Sequence, residues 1–364
     1  MPAARENIQR VIRYMLPPAV LHDMTIAFPI RRCARASAVA VTCVALVSLF
    51  GSRREPLKAA VTQSAASAPN NLEILEVRPT FYVIAGPGGD VANVGVQVGE
   101  DGLVVVDAGS AAAAPAVLDA IKRISPKPIR YVIDTGPDAD HVGGNEALAT
   151  AGEKIFAGAL GGGAQNAAER VAPILSAEGV LRHMAKSPAG GWPTEVFHYS
   201  RKSMYLNGEA IEVLHQPAAH TDSDIVVFFR RSDVLVAGDV LDTRQFPVID
   251  VERGGSIEGE IAALNRLAEL AVVSVPVVTR EAGTIVVPGH GRLCDQYDVV
   301  EYRDMVTIIR DRVRDLIKAG RSLAEVQAAQ PAKGYMGRYG NPGGVWTTDR
   351  FIEAVYRSLA KGKS

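Results

Sequence analysis

From Leu72 onward, short β-branched runs alternate with glycine, aspartate and asparagine turns. TFYVIAG (80–86), NVGVQVG (93–99) and GLVVVDAG (102–109) are close enough together to predict an antiparallel meander. AAAAPAVLDAIKRI (111–124) then places its apolar residues at helical spacing, and PKPIRYVIDTG supplies a strand that runs into a polar loop. A short helix over Asn145–Thr150, a small strand at KIFAG and a helical segment near 165–185 follow. SMYLNGEAIEVLHQ (203–216) reads as a hairpin turning at Asn207-Gly208. DIVVFF (224–229) and DVLVAGD (233–239) form a further strand pair. A helix over about 256–271, the run GTIVVPGHG (283–291) and a long helix over about 298–319 complete the second half. The stretch 335–359 closes the chain with a helix carrying Phe351, Ile352, Val355, Tyr356 and Leu359 on one face, which predicts packing on the preceding domain. Two similar runs of strands and helices, each ending in a polar loop, predict an α/β fold layered helix, sheet, sheet, helix.

Composition narrows this picture. Of 364 residues, 48% are hydrophobic and 22% charged, the balance of an ordinary globular chain. With 39 basic against 40 acidic residues, nothing points to a nucleic-acid surface.

The N-terminal part departs from the rest. Ala36 to Gly51 is an uncharged stretch of 16 residues behind Arg31 and Arg32, and AASA at 65–68 fits a cleavage site. Residues 1–68 are read as an exported leader and linker, so the mature chain is expected to begin near Pro69 in the periplasm or outside the cell. An uncleaved membrane anchor and a buried helix are the alternatives, and Met24 would give a conventional start. Cys33 and Cys43 fall in this leader, leaving Cys294 without an intramolecular disulfide partner in the mature chain.

Candidate chemistry gathers in four loops that each follow an apolar strand: DTGPDADH (134–141), PAAHTDSD (217–224), VAGDVLD (236–242) and VPGHGRLCD (287–295). Strands ending on one side of a sheet bring such loops together. Imidazoles with carboxylates suit zinc, manganese or iron better than magnesium or calcium. Asp138 stands open between an ion ligand and a solvated turn acid or a hydrogen-bond partner of a ligand histidine. His183, His198 and His215 read as structural or surface residues. Trp192 is either an apolar clamp over a pocket or a packed hinge.

The wording of these loops resembles the metallo-β-lactamase fold superfamily over about residues 78–295. DADHVGGN is similar to the back half of its His-x-His-x-Asp-His motif, and AAHTDSD, AGDVLD and PGHG are similar to its later ligand loops. The resemblance implies a four-layer αββα sandwich over 72–295 with a helical extension over 296–364. It implies Asp140, His141 and His290 as the protein ligands of one metal, Asp239 as a bridging carboxylate and His220 as a ligand of the other. It also implies a structural role for Asp107. The two remaining histidine positions fall on Gly136 and Asp138, so one site is lost or rebuilt with harder donors.

The function so implied is an exported metal-dependent hydrolase of an ester, thioester, lactone or amide, β-lactams included. One tight zinc is expected, with a second ion weak or absent and manganese or iron as alternatives. Zinc lowers the pKa of its bound water to roughly 7, and Asp138 or Asp140 is expected to orient or deprotonate that water. A non-catalytic periplasmic metal- or ligand-binding protein and a sulfur-dioxygenase-like oxidoreductase are the rival readings. The partner expected is a small-molecule substrate.

Overall fold

The computed structural model describes residues 72–86, 91–155, 171–274 and 283–361. The leader, the greater part of KIFAG and the loop LGGGAQN (160–166) lie outside them. The first sheet opens with the strands β1 (Glu73–Arg78), β2 (Phe81–Ala85), β3 (Val94–Val98) and β4 (Leu103–Val106), paired antiparallel in that order. The predicted meander is therefore present, with β1 added at its edge. The helix α1 (Ala114–Ile124) crosses to β5 (Ile129–Ile133), which pairs parallel with β4. Two short helices follow, α2 (Ala139–Val142) and α3 (Asn145–Ala151), then β6 (Ile174–Ala177), α4 (Glu178–His183) and β7 (Glu195–Phe197). The seven strands lie in sequence order, the last three joined in parallel.

The expected helix near 165–185 is corrected here. Residues Ile174–Ala177 are a strand, and the helix behind them is only α4. All four residues of β6 are buried, so the run lacks the alternation that marks a half-exposed strand.

The second sheet begins with the hairpin of β8 (Arg201–Leu206) and β9 (Glu209–Gln216). Asn207 and Gly208 both adopt positive φ, 54° and 74°, as a tight hairpin turn requires. β10 (Asp224–Phe229) and β11 (Val234–Asp242) continue antiparallel, α5 (Ile257–Leu270) crosses, and β12 (Ile285–His290) returns parallel to β11. The chain closes with α6 (Gln296–Lys318), α7 (Leu323–Ala328), α8 (Met336–Tyr339) and α9 (Thr348–Lys361).

Alternation along the strands sorts side chains into layers. In β10, Ile225, Val227 and Phe229 join Phe81, Val83, Val104 and Val106 of the first sheet in the core between the sheets. Val226 and Phe228 face the other way, into a core with Leu264 and Leu267 of α5, Val299 and Val306 of α6, and Phe351 and Val355 of α9. On the far side, Leu103 and Val105 of β4 pack against Val117 and Ile121 of α1. The result is the helix–sheet–sheet–helix order. Among the described residues no helix is long and apolar enough to cross a membrane.

Candidate metal centre

The site forms where strands of both sheets run out. β4 ends in Asp107, whose backbone takes the left-handed conformation at φ 65°, one that aspartate tolerates better than most residues. This turn buries its carboxylate completely. Oδ1 accepts the backbone N–H of Thr135 at 2.8 Å, and both oxygens accept the Thr135 hydroxyl. Oδ2 lies 2.8 Å from Nδ1 of His141. Asp107 thus anchors the DTGPDADH loop and fixes the orientation of the His141 ring, the role that the resemblance implied.

With Nδ1 engaged, His141 presents Nε2, which is buried, makes no hydrogen bond and lies 3.2 Å from Asp239 Oδ1. His290, the last residue of β12, places Nε2 at 2.9 Å from Asp140 Oδ2 and 3.8 Å from Asp239 Oδ1. The two imidazoles meet edge to face, their centroids 5.5 Å apart. Asp239 reaches this point because β11 slips register around Gly238, which adopts φ 54°. A Cβ there would also stand 2.4 Å from the Thr135 hydroxyl oxygen, so any side chain would push the two sheets' loops apart.

Among the described residues, candidate donor atoms fall into two groups, each within 4.8 Å: Asp140, His141 and His290, and beside them Asp138, His220 and Asp239. The structure therefore brings together all six residues singled out as ligands. Asp134, the first acid of the loop, joins neither; it is buried and accepts a hydrogen bond from Asn145. Burial raises its pKa well above the ordinary carboxylate value.

The charges in the cluster are strongly coupled. Burial opposes charge on His141, but Asp239 and Asp107 outweigh it and hold its pKa well above 6.5. His220 is likewise opposed by burial, yet its bond to Asp138 and the nearby Asp224 and Asp239 carry it to about 10. Burial would raise Asp239, but the surrounding histidines keep it far below the usual carboxylate range. Burial also raises Asp138 and Asp140, and in each the histidine bonded to it prevails, so both lie below 3.8. Ionised carboxylates beside imidazoles, with His141 Nε2 and His290 Nε2 both turned toward Asp239, form a donor set that suits a divalent cation, and Asp140, His141 and His290 fit one.

Arg253 belongs to this site, and its place on a loop beyond β11 gives no spacing signal. Its Nη2 lies 2.8 Å from Asp138 Oδ1 and 3.5 Å from His220 Nε2. His220 in turn bonds Val248 O through Nδ1 at 2.8 Å and Asp138 Oδ2 through Nε2 at 2.5 Å. A cavity of about 390 Å³ opens over the cluster, with Arg244, Gln245 and Val248 among its walls. Gly136 is not forced to be glycine: a Cβ there would meet only Asp224 Oδ1, at 3.5 Å. Trp192 packs against Val142, Val180 and Met184 and donates to Ser187 O. It is a packed residue rather than a wall of the cavity. His183 and His215 both bond Asp222, through its carboxylate and its backbone carbonyl respectively.

A four-layer αββα sandwich with a His/Asp cluster of candidate metal ligands at the strand ends defines the class of fold to which the chain belongs. The model of the metallo-beta-lactamase superfamily matches residues 87–275, just over half of the chain, and the protein is a member of that superfamily. Solved structures agree in fold. A metallo-beta-lactamase from Pontibacter korlensis is 18% identical with a TM-score of 0.50, the match covering 65% of this chain and 99% of that one. The stereoselective inverting sec-alkylsulfatase Pisa1 from Pseudomonas sp. is 17% identical with a TM-score of 0.57, covering 79% of this chain and 50% of that one. No curated protein matches in sequence.

Proposed function

We propose that the protein is a metal-dependent hydrolase whose ion is held by Asp140, His141 and His290, with Asp239 beside them. The observation that carries this reading is the His141 imidazole, buried, fixed through Nδ1 by Asp107 and left with Nε2 free toward Asp239. A divalent ion there supplies Lewis acidity and makes a nearby water more acidic. Zinc suits this nitrogen–oxygen set, and manganese or iron is an alternative. The chain does the rest. Asp107 orients His141, His290 braces Asp140, and the ionised carboxylate of Asp138 or Asp140 accepts a proton at the floor of the cavity. The substrate is a small molecule with an ester, thioester, lactone or amide bond. The likeness to a sec-alkylsulfatase adds sulfate esters to the bonds worth testing.

The test is metal analysis of the purified protein together with a panel of chromogenic esters, thioesters, lactones, β-lactams and sulfate esters. Turnover lost to a chelator and restored by zinc or manganese is the expected result. A protein that holds an ion tightly yet turns over none of the panel would favour the metal-binding, non-catalytic reading.

We also propose that it works in the periplasm or outside the cell, on the strength of the uncharged stretch Ala36–Gly51 and the AASA segment. Intact-mass analysis of cell fractions is expected to find a chain beginning near Pro69. Only full-length protein in the cytoplasm would overturn export.

A further inference from the structure

Among the described residues two donor groups stand side by side, and a fixed positive side chain, Arg253, reaches into the one around Asp138. Asp138 has both carboxylate oxygens engaged, Oδ1 by Arg253 Nη2 at 2.8 Å and Oδ2 by His220 Nε2 at 2.5 Å. The guanidinium is also anchored on its other side, its Nε lying 2.6 Å from Asp250 Oδ2. Asp250 is in turn fixed by the fold. Its N–H donates to the His220 carbonyl, and its Oδ1 accepts the backbone N–H groups of Glu252 and Arg253. Arg253 is thus clamped between two carboxylates on a loop stitched to the backbone of His220 itself.

We propose that the Arg253 guanidinium is the resident cation of the Asp138–His220–Asp239 group, so that the protein takes a single divalent ion and carries its second positive charge in its own chain. The inference rests on reading Asp140, His141 and His290 as the ion-binding set.

Three features support it. Each group offers three protein donors, and because Gly136 adds none on this side, an incoming ion would find nothing to replace Asp138 while the guanidinium holds it. Arginine stays protonated at any pH at which a protein folds, so the blocking charge cannot be titrated away as a histidine's can. It is also planar and forked, and spans Asp138 and Asp250 with separate nitrogens, which a hydrated ion drawn from solution would have to displace together. Nη1 makes no hydrogen bond among the described residues while Arg253 lines the cavity, so the guanidinium retains a donor for a substrate oxygen.

The experiment is zinc and cobalt titration of wild type, Arg253→Met and Arg253→Lys, with stoichiometry read by calorimetry and cobalt absorption. Circular dichroism and the affinity of the first ion serve as checks on folding. Wild type is expected to bind one ion. Arg253→Met keeps the aliphatic stem, loses the charge, and should bind a second ion. A neighbouring like charge shifts even a proton's affinity by roughly 10- to 1000-fold, so the second site should tighten by at least about tenfold. Arg253→Lys should stay at one. Should Arg253→Met misfold, anomalous zinc scattering from wild-type crystals decides, since density between Asp138 and His220 would contradict the proposal. Two ions in wild type, or one in a folded Arg253→Met, would overturn it and leave the hydrolase reading intact. No ion in wild type would sink that reading, and the inference with it.

Discussion

At the scale of single residues, the site is organised by buried groups that do not line the cavity. Asp107 is the clearest case, because one buried carboxylate holds both the Thr135 backbone and the His141 ring. Asp107→Asn can still accept from Thr135, but its amide NH₂ has no reason to face the His141 Nδ1 proton. Loss of such a partner typically costs 10- to 100-fold in metal affinity, and a loss in this range is expected for Asp107→Asn by competition with a chromogenic chelator. Unchanged affinity would show that the His141 ring is held by packing alone. Removal of Asp140, His141 or His290 by alanine should empty the site altogether. His220→Ala should spare the ion, since His220 contacts Val248 and Asp138 rather than that group.

Protonation follows from the same residues. In the metal-free chain His220 has its pKa raised to about 10, and His141 is raised as well. An ion bound through His141 must displace its proton, so binding at pH 7–8 should release protons and tighten as pH rises. Calorimetry in buffers of different ionisation enthalpy measures this directly, and zero release would contradict the charged state. The sign for stability is the opposite. A folded pKa raised above the unfolded 6.5 stabilises fully below pH 6.5, and that contribution is lost as pH climbs through about 10. The metal-free protein should therefore weaken to denaturant across that window.

These residues were legible to different degrees. The histidines and acids stand in the sequence at strand exits, and the resemblance to the superfamily's motifs implied how they group. Arg253 does not: its position depends on Asp250 bonding back to His220, a contact that no periodicity encodes.

Among the elements, legibility tracks residue type. β4 (LVVV) and β10 (DIVVFF) are buried at every position, and they can be read because β-branched and aromatic residues run together between turn residues. β6 (ILSA) is as buried and as short as β4 but carries Ser and Ala instead, and β7 has three residues, too few for any period to emerge. The closing helix α9 is readable because one face is apolar, and the structure shows what that face meets. Phe351 is fully buried and stacks on Phe246 with centroids 4.9 Å apart. Phe351→Ala should cost about 3–5 kcal/mol, read as a lower urea midpoint. Because Phe246 lies between the Arg244–Gln245 wall of the cavity and the Val248 carbonyl that holds His220, this variant should also disturb the cavity while sparing ion affinity. A large loss of stability with turnover untouched would show that the helix supports only the outer core.

For the molecule as a whole, helix–sheet–sheet–helix layering follows from alternation. What alternation does not give is where the two sheets' strand ends meet. The first sheet contributes Asp138, Asp140 and His141, and the second contributes His220, Asp239 and His290. An ion bound by Asp140, His141 and His290 is therefore ligated from both sheets at once and acts as a strut across the seam between them. Ligand binding only to the folded state stabilises by about 2.7 kcal/mol at one hundred times its Kd. The melting temperature should thus climb with free zinc and fall on chelation. The fall should begin at the seam: amide exchange in Thr135–Gly144 and around Gly238 should quicken before it does in the strands that flank them. The ion would then be a fastener as much as a reagent, and starving the protein of metal would loosen its two halves before it unfolded either.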